Sequence, residues 1–91
     1  MKIIRTTNID GDYTHWCQGC QGMHLINTKR KNMNNAQWSF NGNFEKPTFT
    51  PSINVENGGC HYNITDGVII YHDARNHSLG GTTVPLIEMP H

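Results

Sequence analysis

Three cysteines in 91 residues constrain this chain more than any other feature, and two of them stand in Cys17-Gln18-Gly19-Cys20. Two thiolates separated by two residues can face one tetrahedral ion, because the tight turn between them curls around the metal. Thioredoxin-like redox sites share this spacing, but they open a helix, whereas the flanks here are glycine-rich and strand-like. An odd number of cysteines also excludes a complete disulfide framework within one chain. We therefore predict a metal site that includes Cys17, Cys20 and Cys60.

Composition also favours a stabilising site of this kind. Only 35% of the residues are hydrophobic, and the mean hydropathy is −0.60. A chain of this length forms one domain, residues 1–91. Its hydrophobic core is small, and domains of this size usually need disulfides, a bound metal or oligomerisation for stability. Zinc suits three thiolates and one further donor, whereas an iron–sulfur centre usually requires four cysteines. We predict one structural zinc ion.

The fourth ligand is less constrained than the three cysteines. His61 follows Cys60 directly and is our first choice, with His24 and His77 as alternatives. Neighbouring side chains in a regular strand point to opposite faces, so Cys60 and His61 can share an ion only if the backbone bends. Gly58-Gly59 permits such a bend.

Hydrophobic periodicity predicts short strands and no convincing helix. Asp66-Gly67 lies between two β-rich runs and predicts a type I′ hairpin. Residues before a proline favour extended backbone, so the Pro47–Pro51 segment is expected to cross in an extended form before a strand at Ser52–Glu56. The fold class is a small zinc-ribbon-like antiparallel all-β domain. The other predicted strands are Lys2–Arg5, Tyr13–Trp16, Met23–Thr28, Gln37–Asn41, Cys60–Thr65, Val68–His72 and Thr82–Glu88.

Charge and hydropathy restrict the possible partners. Seven basic residues balance seven acidic ones, so the chain lacks the global basic bias of a nonspecific nucleic-acid binder. The triplet Lys29-Arg30-Lys31 is the candidate nucleic-acid contact. No apolar run is long enough to span a bilayer, and the N-terminus becomes polar too early for a signal peptide. These features favour a reducing cytosol, where thiols are often metal ligands.

The order of motifs along the chain resembles a family of small bacteriophage and prophage proteins of uncharacterised function. Members of that family often carry the labels "ammonia monooxygenase" or "anaerobic dehydrogenase". The resemblance implies a phage origin, a bacterial host cytosol and a zinc-ribbon-like fold. The family's cysteine pair, later Cys-His and downstream histidine correspond to Cys17, Cys20, Cys60, His61 and His77. The resemblance rests on His15–Cys20 with His24, Trp38–Gly42, Lys46–Ile53, Cys60–Tyr62, Thr65–Gly67 and His77–Val84.

Three functions follow from these observations, and no catalytic residue is assigned. The favoured one is a non-catalytic interaction module that binds a host or phage protein, since three cysteines and a histidine leave zinc no open position. Its surface candidates are the aromatic residues, some of which we expect in the core. The alternatives are a nucleic-acid-binding zinc ribbon and a small zinc-dependent hydrolase with His24, His61 or His77 as proton shuttle. The aromatic candidates are Trp38, Phe40, Phe44 and Phe49.

Overall fold

Eight short β-strands and no helix are formed by residues 3–6, 11–29, 31, 36–55 and 59–88, which the computed structural model describes. No helix that could cross a membrane occurs among them. The predicted all-β antiparallel fold is confirmed. The strands are β1 (Ile3–Arg5), β2 (Tyr13–Cys17), β3 (Gly22–Ile26), β4 (Ser39–Phe40), β5 (Phe49–Val55), β6 (Cys60–Thr65), β7 (Val68–Ala74) and β8 (Thr83–Pro85).

The strands form two antiparallel sheets, ordered β1-β2-β3 and β4-β5-β6-β7-β8. Strand β6 shows how the sequence selects the inner face of the larger sheet. Its residues Cys60, Tyr62 and Ile64 are buried, whereas His61 and Asn63 between them are half-buried. This period of two leaves one face of the sheet packed on the core and the other face accessible.

Buried side chains from both sheets join in one hydrophobic core. Full burial of an aliphatic or aromatic side chain stabilises a fold by about 1.5–3 kcal/mol, so these residues supply most of the packing energy. The smaller sheet contributes Ile3, Cys17 and Ile26, and the larger sheet with its C-terminal extension contributes Phe49, Ile53, Cys60, Tyr62, Ile64, Ile69, Tyr71 and Leu86.

A hydrogen bond between His15 and Tyr62 also joins the two sheets. The Nε2 atom of His15 lies 2.6 Å from the Tyr62 hydroxyl, and both side chains are fully buried. Burial, with a smaller contribution from His24, lowers the pKa of His15 to about 3. The ring is therefore neutral at pH 7, and the polar pair is buried without placing a charge in the core.

Strand β5 differs from the prediction. An extended segment up to Pro51 and a separate strand from Ser52 were expected, but the structure has one continuous strand, Phe49–Val55. The β5–β6 ladder shifts register between Phe49 and Ile53. Pro51 lies within this shift, where a missing N–H costs no ladder hydrogen bond. The Thr50–Pro51 peptide bond is cis.

The predicted hairpin between β6 and β7 is confirmed. Asp66 and Gly67 have φ values of 48° and 81°, which is the positive pair that a type I′ turn requires. The turn also touches the preceding segment, since the Gly67 amide donates to the Pro47 carbonyl at 3.0 Å.

Gly42 and Gly67 both have a positive φ, but only at Gly67 would an added side chain also be crowded by neighbouring atoms. A Cβ at Gly67 would lie 3.2 Å from the Glu45 carbonyl oxygen, whereas a Cβ at Gly42, which has a similar φ of 83°, would meet nothing within 4 Å. We expect Gly42→Ala to lower the free energy of unfolding by about 1–2 kcal/mol, the cost of left-handed backbone. Gly67→Ala should lower it further. Urea unfolding of both variants measures the difference, and equal losses would contradict the close packing of the turn.

Candidate functional sites

Four potential metal ligands from distant parts of the chain meet beneath the larger sheet. Cys17 ends β2, Cys20 lies in the turn before β3, Cys60 begins β6, and His77 follows β7. One ligand atom from each of the four lies within 4.8 Å of the other three. This Cys₃His cluster has a donor set that could hold a metal ion.

Short contacts within the Cys₃His cluster define its shape. The Sγ atoms of Cys17 and Cys60 are 4.0 Å apart, and His77 Nε2 lies 3.3 Å from Cys60 Sγ. The Cys20 amide donates to Cys17 Sγ at 3.4 Å, which fixes the turn between the first two cysteines. A Cβ on Gly19 would come within 2.3 Å of the His77 ring, so only glycine lets the turn approach this histidine so closely.

The surroundings of Cys60 and Cys17 shift the pKa values of their thiols in opposite directions. Burial raises the pKa of Cys60, and the charges of Cys17 and Cys20 raise it further. Burial also acts to raise the pKa of Cys17, but hydrogen bonds with His24, Tyr71 and the Cys20 amide outweigh it and lower the value to about 6. Three thiolates at this spacing therefore need a cation to compensate their charge, and a bound metal would supply it.

The structure brings the three predicted cysteines together, but it places His77 rather than His61 beside them. The reason is the alternation that makes adjacent residues of a strand face opposite sides. Cys60 faces the core, so His61 faces outward, and the backbone does not bend enough to bring both to one ion. His24 is buried and acts to lower the pKa of Cys17, but it does not join the ligand set.

The remaining predicted sites lie away from this cluster. Lys29 and Lys31 are exposed, and Arg30 is outside the described residues. Among the aromatic candidates Phe49 is fully buried, and Trp38, Phe40 and Phe44 are partly buried against the core.

On the outer face of the larger sheet, a serine and a histidine are joined by a hydrogen bond. Ser52 Oγ lies 2.9 Å from His61 Nε2, which is within the reach that proton transfer requires. His61 pairs in register with Asn54, so Ser52 is its diagonal neighbour on the adjacent strand. Both side chains are half-buried, and Asn54 beside them is exposed.

Neighbouring groups fix this Ser52–His61 pair. The ring of His72 lies 5.1 Å from the His61 ring between centroids, and His72 Nε2 donates to Asn63 Oδ1. On the other side, the indole N–H of Trp38 donates to the Ser52 carbonyl at 3.1 Å. The His61 ring therefore packs against His72, and the Ser52 backbone is held by the Trp38 indole.

Sequence reasoning missed the Ser52–His61 pair. The two residues are nine positions apart, and His61 already had an assignment as a metal ligand. The available signal was the alternation itself, since residues that flank the buried pair Ile53 and Tyr62 must face outward together.

A serine hydroxyl hydrogen-bonded to a histidine on an accessible face is an arrangement that a nucleophile and its base adopt in serine hydrolases. Residues 2–72 match a family model described as "Bacterial ubiquitination-like system serine protease (BubE)". The match covers more than half of the chain, which therefore belongs to the BubE family. No curated protein and no solved structure matches the chain.

The family match corrects two predictions. The resemblance to small phage proteins was wrong, because the family that the chain matches belongs to a bacterial ubiquitination-like system. The favoured function, a non-catalytic interaction module, and its nucleic-acid-binding and zinc-hydrolase alternatives are overturned by a serine protease family. The error arose because a closed metal site was taken as the functional centre, and the opposite face of β6 was not considered.

The packing of His77 on Gly19 can be tested with a matched pair of glycines. Gly19→Ala should push the His77 ring away and weaken metal affinity by about 10–100-fold, the usual effect of losing support around a ligand. Gly22→Ala is the control, because its Cβ would meet nothing closer than 3.9 Å. Competition with a chromophoric chelator measures both affinities, and equal affinities would contradict the close approach.

Proposed function

We propose that this chain is a serine protease in which Ser52 is the nucleophile and His61 the general base. The observation that carries the proposal is the 2.9 Å contact between Ser52 Oγ and His61 Nε2. Membership in the BubE family supports it, because the family description names a serine protease.

The chemistry follows from this contact. The hydroxyl of Ser52 donates to Nε2 of His61, and as Oγ attacks the peptide carbonyl its proton passes to that nitrogen. The resulting imidazolium then gives the proton to the leaving amine when the C–N bond breaks, which leaves an ester on Ser52. Water hydrolyses the ester with His61 again accepting a proton, and the free hydroxyl is restored.

The position of the pair suits a macromolecular substrate. Ser52 and His61 lie on the outer face of the larger sheet, beside the exposed residues Asn54 and His72. A polypeptide can approach this surface without opening the core. Since the family description names a bacterial ubiquitination-like system, we propose a protein of such a system as the substrate, cleaved in the bacterial cytosol.

Zinc is the ion that we propose for the Cys₃His cluster of Cys17, Cys20, Cys60 and His77. Three thiolates and an imidazole match its preference for four sulfur and nitrogen ligands in structural sites. Four protein donors leave no position for a reacting water, so this ion would stabilise the fold while the Ser52–His61 pair carries the reaction.

Metal uptake should release protons from the cluster. The Leu79 amide donates to His77 Nδ1 at 3.1 Å, so the neutral ring carries its proton on Nε2, which faces Cys60. An ion bound at Nε2 would require this proton to move to Nδ1, so the turn at Leu79 must adjust to the changed tautomer. The protons released to solvent are those of the thiols, which makes the apparent affinity rise with pH.

The proposal separates the two sites by mutation. His61→Ala should abolish cleavage of a peptide substrate and keep the metal, because its ring bonds Ser52 and lies outside the cluster. Ser52→Ala should reduce the cleavage rate by at least about 10³-fold, as the loss of a nucleophile does in serine proteases. Fluorogenic peptide cleavage and elemental analysis give the two readouts.

Ser39→Ala is the matched control, since this serine is exposed on neighbouring β4 and should leave cleavage unchanged. Full cleavage by purified Ser52→Ala protein would show that another group is the nucleophile. Loss of the metal in His61→Ala would return this histidine to the ligand set.

A further inference from the structure

The two candidate sites share one strand, and their residues are consecutive in it. Cys60 opens β6 and faces the Cys₃His cluster, while His61 faces outward to Ser52. A displacement of this part of β6 therefore moves a metal ligand and the proposed general base together.

The ladder on one side of His61 is irregular. The pairing of β6 with β7 shifts register between Cys60 and Tyr62. Within this shift the single residue His61 opposes two residues of β7, His72 and Asp73. Such a bulge interrupts the regular hydrogen bonds of the ladder, so the ladder alone holds His61 less firmly than it holds the rest of β6.

Both ends of the bulged segment of β7 are tied to the cluster from the core side. At one end the Tyr71 hydroxyl lies 3.2 Å from Cys17 Sγ and 3.4 Å from the Gly19 amide. Beyond the other end, the chain returns to β6 so that His77 Nε2 reaches within 3.3 Å of Cys60 Sγ. The cluster thus makes contacts on both sides of the bulge, where the regular ladder pairing is interrupted.

We infer that the Cys₃His cluster positions the general base of the proposed protease, with Cys60 and His77 as positioning residues. When both bind one ion, β6 and the segment after β7 are clamped together beneath His61, and its ring stays within reach of Ser52. Without the ion, β6 and the segment after β7 keep the hydrogen bond from the Asn76 amide to the Gly59 carbonyl but lose the link through Cys60 and His77, so the bulge beside His61 opens more readily. The inference rests on the proposed function, since it gives His61 its role through Ser52.

A purely structural metal site would have a different effect. Its loss would loosen the core as a whole, including the far end of the β6–β7 hairpin at Ile64 and Ile69. A positioning role confines the change to residues around the bulge. It also predicts that a small ligand able to replace His77 restores the reactivity of Ser52.

The test uses the full chain and a fluorophosphonate probe, from which an activated serine oxygen displaces fluoride. His77→Gly keeps three thiolates for the metal but removes the link from β7. We expect Ser52 to be labelled at least tenfold more slowly in this variant, and added imidazole to recover at least half of the wild-type rate. Ser78→Ala, an exposed neighbour in the same turn, should be labelled at the wild-type rate.

Amide hydrogen exchange gives a readout that is independent of reactivity. On removal of the metal with a chelator, the amides of His61 and Tyr62 should exchange at least tenfold faster, while those of Ile64 and Ile69 stay unchanged. Equal acceleration at all four amides, or labelling of His77→Gly at the wild-type rate, would overturn the inference and leave the proposed function standing. A metal-loaded wild type whose Ser52 resists the probe would overturn the proposed function, and the inference with it.

Discussion

Alternation of side chains along β6 is the constraint on which both candidate sites depend. A strand of six residues directs Cys60 into the protein and His61 out of it, one residue apart. The inward side meets ligands from β2, from the turn after β2 and from the segment after β7. The outward side meets Ser52 on β5. One strand therefore carries a candidate metal site on its inner face and the proposed nucleophile–base pair on its outer face.

A metal bound in the inward cluster would compensate for the small hydrophobic core of a protein of this size. The two sheets share a core of mostly single aliphatic and aromatic side chains, and polar groups such as His15 and Tyr62 occupy part of it. Apolar burial in a chain this short offsets little more than its conformational entropy. A metal that joins Cys17 to Cys60 would cross-link the two sheets directly and constrain the unfolded chain as well. The outer face is then free to carry polar residues for function.

Local signals in the sequence predicted much of this architecture. The strand pattern, the Asp66-Gly67 turn and the grouping of the three cysteines follow from spacing and turn chemistry, and the structure agrees with all three. The fourth ligand needed information that spacing does not contain, because His77 reaches the cluster only through the path of the chain after β7. The Ser52–His61 pair depends on the β5–β6 register, which the shift around Pro51 makes hard to predict. Family membership, in turn, corrected the functional assignment that the cysteine pattern had favoured.

The central claim is that Ser52 is an activated nucleophile. The most direct measurement is the mass of the purified, metal-loaded chain after reaction with a fluorophosphonate, followed by peptide mapping of the adduct. The account predicts a single adduct on Ser52, which is absent from the unfolded protein and from His61→Ala. An adduct on another residue, or none at all in the folded wild type, would contradict it.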